Sequence, residues 1–439
     1  MKKVLLGTMA VLTLAACSKD EVIQQNPNDE ITFTAVTNKA VSRAADGYCN
    51  SSMPGDFQVW AEVGNKNYFA QERYVRSGST STYTISGPMR YWPESTTQEI
   101  NFYAACNKGV KEILDEGGAG TGTFVEAESD VAIDGWTSAT TTALDANKVI
   151  KGYTILDDVT KQKDLLYAVV KGATKETATS GQIAINFRHA LSQIEFMAQN
   201  KNKNIYVEIS QVKVCNVNGK GDFTFPSTTD GNIKDKHDFS GTYPDATTVG
   251  KWSNWSSPAS YKTTALIGKK LSEREYDGDA LKTPSTAAAA SSLTTADDEG
   301  KEYSSNTMYL LPQTITPWNP ATAGKPANGT GAYFLVKAKI WNVAAGDGTR
   351  AATGDVVLWD NKKGANEQFI AIPIPSITWE PGKRYVYTFI FTPDGNGGYN
   401  PDPTNPSTPE PVLVPIKLSV TVDDFVDGGT VPDIEMKKP

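Results

Sequence analysis

Short runs in which apolar residues recur at every second position are spread along the whole chain, and they leave few folds open to it. Phe57-Gln58-Val59-Trp60-Ala61, Ile100-Asn101-Phe102-Tyr103-Ala104, Ile183-Ala184-Ile185-Asn186-Phe187, Ile205-Tyr206-Val207-Glu208-Ile209, Phe334 to Ile340 and Tyr385 to Phe391 all carry this period. Successive side chains of a strand point to opposite faces, so each run reads as one strand with an apolar face. The runs are rich in Val, Ile, Tyr, Phe and Thr and are separated by turn residues. Asn218-Gly219, inside VCNVNGKGDFTF, is a hairpin signal. Helical periodicity is scarce, and ALSQIEFMAQN, which runs on from a strand, reads as an extended continuation. Short strands at regular spacing predict an all-β chain of sandwiches rather than a parallel α/β sheet.

At 439 residues the chain is long for one domain and comfortable for two. Stretches such as EGGAGTGTF and TPSTAAAASSLTTADDEG read as surface insertions, and KGATKETATSG as a link between domains. These divide the chain near Ala178, into an N-terminal sandwich over 44–178 and a C-terminal one over 179–392. A Pro/Gly/Asn-rich tether over 393–411 follows, then a C-terminal segment over 412–439. In that segment Val412, Val414, Ile416, Leu418, Val420 and Val422 share one face of a strand. Paired at home it is an ordinary last strand; released, it is a strand on a leash.

The first residues read as a leader. Lys2 and Lys3 precede an apolar run from Val4 to Leu12, which closes on Leu14-Ala15-Ala16-Cys17. The run is too short to span a bilayer and fits a signal peptide over 1–16. Cysteine directly after Leu-Ala-Ala resembles a bacterial lipobox, which makes Cys17 the expected lipidation site and a membrane the expected anchor. Ser18-Lys19-Asp20-Glu21 resembles the acidic surface-export tags of some anaerobes' lipoproteins.

The net charge is −8 and Lys2 and Lys3 leave with the leader, so the mature chain is more acidic still. Without a basic cluster, such a chain is a poor ligand for nucleic acid. After Cys17 only Cys49, Cys106 and Cys215 remain, enough for at most one intrachain disulfide, and no CxxC or His-Cys cluster suggests a metal. His189 and His237 are the only histidines, and neither sits in a nucleophile motif. His189 reads as a strand residue with a structural hydrogen bond. Asp157-Asp158, Asp297-Asp298 and Asp423-Asp424 read as solvated turns or opposite strand faces rather than paired catalytic carboxylates. No catalytic residue, metal ligand or cofactor is therefore assigned. Trp60, Trp92, Trp341, Trp359 and Trp379 lie in or beside strand patterns and read as core. Trp252 and Trp255, in the polar KWSNWSS, are the candidates for an exposed aromatic platform, the feature a glycan-binding surface lipoprotein would need.

One family gathers these pieces. The lipobox is followed in order by ITFTAVTNKAVSRAADG, FQVWA, MRYWPESTTQEINFYAAC, DLLYAVV, INFRHALSQIEFMAQN, VCNVNGKGDFTFP, YLLPQTI, ITWEPGKRYVYTFIF and VLVPIKLSVTVDDF. This order resembles the fimbrillins, subunits of the type V pili of gut and oral anaerobes. The resemblance implies two transthyretin-like β-sandwiches in tandem and export as an outer-membrane lipoprotein. It further implies that an arginine-specific, trypsin-like protease removes the N-terminal segment over 17–43 with its first strand. Arg43-Ala44 in VSRAADG is the expected cut, with Arg73 or Arg76 as substitutes. The groove so opened takes a terminal strand of the neighbouring subunit, for which Val412 to Val422 have the required alternation.

Overall fold

The computed structural model describes residues 29–37, 56–64, 66–77, 82–108, 110–114, 120–126, 148–155, 162, 164–178, 181–227, 250–262, 291–292, 295–296, 302–303, 308–323, 330–344, 346, 353–395, 397–402, 410–424 and 434–435. Apart from one helical turn at Pro320–Ala323, its regular structure there is β, as the period-two runs require.

The first unit is built from β1 (Thr32–Thr37), β2 (Asp56–Val63), β3 (Lys66–Arg76), β4 (Thr82–Ile85) and β5 (Ile100–Lys108). After β6 (Val149–Thr154), which belongs elsewhere, β7 (Asp164–Ala173) and β8 (Gln182–His189) complete it. In the order β1-β8-β7-β5-β2-β3-β4 these strands close on themselves. The unit is thus hydrogen-bonded all the way round, with two short seams: Arg188 and His189 against Tyr167 and Leu166, and Phe33 and Thr34 against Tyr83 and Thr82.

The second unit is one large sheet. Its strands are β9 (Ser192–Asn200), β10 (Ile205–Thr224), β11 (Lys251–Lys262), β12 (Met308–Leu310), β13 (Tyr333–Asn342), β14 (Val356–Trp359), β15 (Ile370–Pro373), β16 (Lys383–Phe391), β17 (Gly397–Tyr399) and β18 (Pro411–Asp424). Its main path runs β11-β10-β13-β15-β17-β18-β16-β9, with β6 joined to β10 and β12 to β9. ALSQIEFMAQN is extended, as β9.

The boundary between the units differs from the expected one. KGATKETATSG joins β7 to β8 inside the first unit, so the chain crosses over at Ala190-Leu191 rather than near Ala178. Its turn residues signalled a reversal between paired strands, which composition alone does not distinguish from a linker.

The units are packed together by strands buried on both faces. Along β2, β5 and β7, Phe57, Val59, Phe102, Ala104, Leu166 and Ala168 fill the interior of the first unit. The intervening Trp60, Tyr103, Leu165, Tyr167 and Val169 point the other way, into the core of the second. There Tyr167 meets Phe223 at a centroid distance of 4.8 Å and Tyr103 meets Phe225 at 5.6 Å. The Gly250 amide donates to the Tyr167 hydroxyl at 2.9 Å. At this junction burial pulls the Lys171 ammonium below its ordinary pKa, while its Nζ rests 4.0 Å above the Tyr103 ring.

Candidate functional site

The alternation of Ile31-Thr32-Phe33-Thr34 makes β1 a strand, and its apolar face closes the first unit. β1 runs parallel to β8 from Thr32↔Gln182 to Thr37↔Phe187 and antiparallel to β4 on its other side. Parallel partners cannot be joined by a tight turn, so β1 is a strand brought in from a distance. Ile31 and Phe33 are wholly buried. The Phe33 ring stands edge-on to Tyr74 at 4.7 Å, Phe102 at 5.4 Å and Phe57 at 5.8 Å. Such edge-on pairs add to area burial.

A clasp holds the leading end of the strand. The Ile31 amide donates to the Arg90 carbonyl and the Trp92 amide to the Asp29 carbonyl, each at 2.8 Å. Lys175 binds the Asp29 carboxylate, and Arg90 is itself paired with Glu72. Two polar atoms in this region find no hydrogen-bond partner among the described residues: the Tyr74 hydroxyl and the Trp92 indole nitrogen. Tyr74 is wholly buried and Trp92 is 5% exposed. Burial, followed by the charges of Glu72 and Glu30, raises the Tyr74 pKa far above its ordinary value. Trp92 reads from sequence as core, which it is, but nothing in the sequence marks it or Tyr74 as lacking a partner.

Arg43 and Ala44, the expected cut, lie outside the described residues, as does Cys17. Arg73 and Arg76, the substitutes, do not lie in a loop. They sit in β3, opposite Gln58 and Tyr83 of the flanking strands, and Arg73 Nε donates to Asp56 at 2.8 Å. A protease needs exposed, unpaired backbone, and neither position offers it.

β18 is paired within its own unit, antiparallel to β16 from Ile416↔Phe391 to Asp424↔Lys383. Val412, Val414, Ile416, Leu418 and Val420 are buried and Val422 packs against them. The tether is not a free leash either. β17 lies within it, between β15 and β18, and the Asn400 amide donates to the Glu410 carbonyl at 2.7 Å. Glycine is required there, because a Cβ on Gly397 would come within 2.8 Å of the Ile416 carbonyl oxygen.

The aromatic platform does not form as a pair. Trp252 is buried, 5.3 Å from the Phe223 ring, and its Nε1 donates to the Ala190 carbonyl at 2.6 Å. Its polar neighbours in sequence hid the fact that it stands directly opposite Phe223 across a strand pair. Trp255 alone is exposed, at 45%, with its indole N–H held by the Pro312 carbonyl at 3.1 Å. His189 ends β8 and bonds through Nδ1 to Asp164 at the start of β7, a structural contact that pins one of the short seams. Cys106 and Cys215 are buried in different cores and are not disulfide-bonded.

The profile of the fimbrillin-like family matches residues 26–404. The chain belongs to that family. Among solved structures it is similar to a fimbrial protein from Bacteroides vulgatus, with 11% identity and a TM-score of 0.43 over 90% of this chain and 99% of that one. It is also similar to the tip fimbrial protein Mfa3 from Porphyromonas gingivalis, with 8% identity and a TM-score of 0.35 over 89% of this chain and 98% of that one. Comparison with curated proteins gives no match. In this fimbrillin-like chain, β1, β8, β4 and the clasp around Asp29 fall inside the matched span, and Cys17 and β18 fall outside it.

Proposed function

We propose that this chain is a structural subunit of a cell-surface pilus, exported as an outer-membrane lipoprotein through Cys17 and activated for assembly by a cut after Arg43. The observation that carries the reading is β1. It is an integral strand of the first unit, yet its covalent connection to β2 runs only through residues 38–55. A single cut there turns an internal strand into a separable one. Its departure would expose the hydrogen-bonding edges of β8 and β4 and the apolar seat of Phe33, a configuration that folded proteins otherwise avoid. A strand from a neighbouring subunit refills that groove with main-chain hydrogen bonds and alternate side chains. The contact is head-to-tail and does not close, so it propagates into a filament. Within this chain β18 has the pattern of a strand to donate. The partners are therefore other pilus subunits and an arginine-specific trypsin-like protease, and no enzymatic activity is assigned.

The test is N-terminal sequencing of subunits sheared from cells, with an Arg43→Ala variant beside the wild type. Filament subunits that begin at Ala44, and loss of filaments in the variant, are the expected results. Filaments whose subunits still begin at Cys17 would overturn the cleavage step.

A further inference from the structure

We infer that the groove held by β1 is built for a strand bearing a neutral hydrogen-bond acceptor on its inward face, and hence for a subunit whose donor strand differs from this chain's own β18. The inference rests on the strand-exchange reading above and adds the chemistry of the partner. Buried polar atoms are nearly always satisfied, and one left alone costs roughly 1–3 kcal/mol. Here two are left without a partner among the described residues, the Tyr74 hydroxyl and the Trp92 indole N–H. Tyr74 lies against Phe33, and the Trp92 backbone is bonded to Asp29, so both border the strand that is to leave.

β1 cannot serve them, because its inward residues there, Ile31 and Phe33, carry no polar atom. It holds the groove shut with apolar side chains and leaves two donors idle. An indole nitrogen only donates and a phenol donates readily, so both ask for an acceptor. Glu72 already places negative charge near Tyr74. An Asn or Gln carbonyl therefore suits the place better than a second carboxylate. The inward face of β18 reads Val412, Val414, Ile416, Leu418, Val420, Val422 and offers no acceptor. A second copy of this chain would fill the groove no better than β1 does.

The test uses the full chain with a site-specific protease sequence inserted between residues 38 and 55, nicked after purification. Synthetic peptides of residues 411–424 are added, in the parent sequence and with single Val414→Asn, Ile416→Asn, Leu418→Asn or Val420→Asn changes. Binding is read by native mass spectrometry as displacement of the β1 fragment. At least one Asn peptide should bind about tenfold tighter than the parent, the worth of one hydrogen bond. That gain should vanish in a Tyr74→Phe, Trp92→Phe background. Parity of every Asn peptide with the parent, or a gain that survives in that background, overturns the inference. Failure of every peptide to displace β1 overturns strand exchange itself, a distinct result. In the intact chain Tyr74→Phe should keep or raise the melting temperature; a clear fall would mean that the hydroxyl has a partner and would also overturn the inference.

Discussion

If β1 is a removable plug, Phe33 is the residue that keeps it in place, and Phe33→Ala should loosen it by an amount that can be worked out. The side chain is wholly buried and touches three rings edge-on, so little of the cavity can collapse without moving Phe57, Tyr74 or Phe102. Truncations of this kind cost about 3–5 kcal/mol. In the intact precursor that loss appears as a lower denaturation midpoint of the first unit. In the nicked protein the same loss bears on dissociation of the strand, and about 4 kcal/mol is nearly a thousandfold weaker retention. The assay is the rate at which the β1 fragment separates from nicked protein on a sizing column, for wild type and variant. Once β1 is gone, the stripped Phe33→Ala and wild-type proteins are the same molecule and must behave alike. Retention within tenfold of wild type would refute the reasoning, because the seat of Phe33 would then not be what holds the strand.

Other substitutions test the remaining assignments. Leu418→Asp should lower the melting temperature of the unassembled subunit, since Leu418 is 1% exposed opposite Phe389 and an unpaired buried carboxylate costs several kcal/mol. Leu413→Lys, at a side chain 79% exposed, should leave that temperature unmoved. Cys17→Ala should abolish incorporation of labelled fatty acid and release the precursor from membrane fractions; unchanged labelling would end the lipoprotein assignment. Trp252→Ala should destabilise by about 3–5 kcal/mol, whereas Trp255→Ala should change stability little, and thermal melts of the two variants decide whether burial separates them as described.

The strands themselves were legible because alternation is local and each one writes its own pattern. The period-two reading of β2 and β5 gives each strand one apolar face, whereas these strands and β7 are buried on both: Trp60, Tyr103 and Tyr167 face a second core that the sequence does not announce. Pairing is not local, and it was not legible. Nothing in Ile183 to Phe187 says that it lies parallel to Thr32–Thr37, yet that single pairing defines the candidate groove. The same non-locality hid a likeness between the units. In each, an early strand runs parallel beside a late one, β1 by β8 and β9 by β16. The sequences of these strands differ enough that no repeat shows. Within the 393–411 tether Gly397-Gly398 reads as linker because glycine usually means freedom, whereas in the fold it permits the close approach of β17 to β18.

The lengths of these pairings bear on which strand moves where. At home β18 is paired antiparallel along the whole of a nine-residue strand, β16, and five of its apolar side chains are buried. The groove left by β1 offers a six-residue parallel partner, the two-residue seam with β4 and the clasp around Asp29. Parallel pairing is slightly weaker per residue. Moving β18 from its own sheet into a second copy's groove therefore exchanges a longer ladder for a shorter one and leaves a gap beside β16. Cutting after Arg43 does nothing to β18 at home, so the cut cannot by itself make that move downhill. A strand that is not already folded into a sheet, or one that also satisfies Tyr74 and Trp92, faces no such deficit. On the proposed strand-exchange reading, entry into this groove is consequently most favourable when the incoming strand comes from a different subunit, and β18 would leave its place only where another strand closes the sheet behind it.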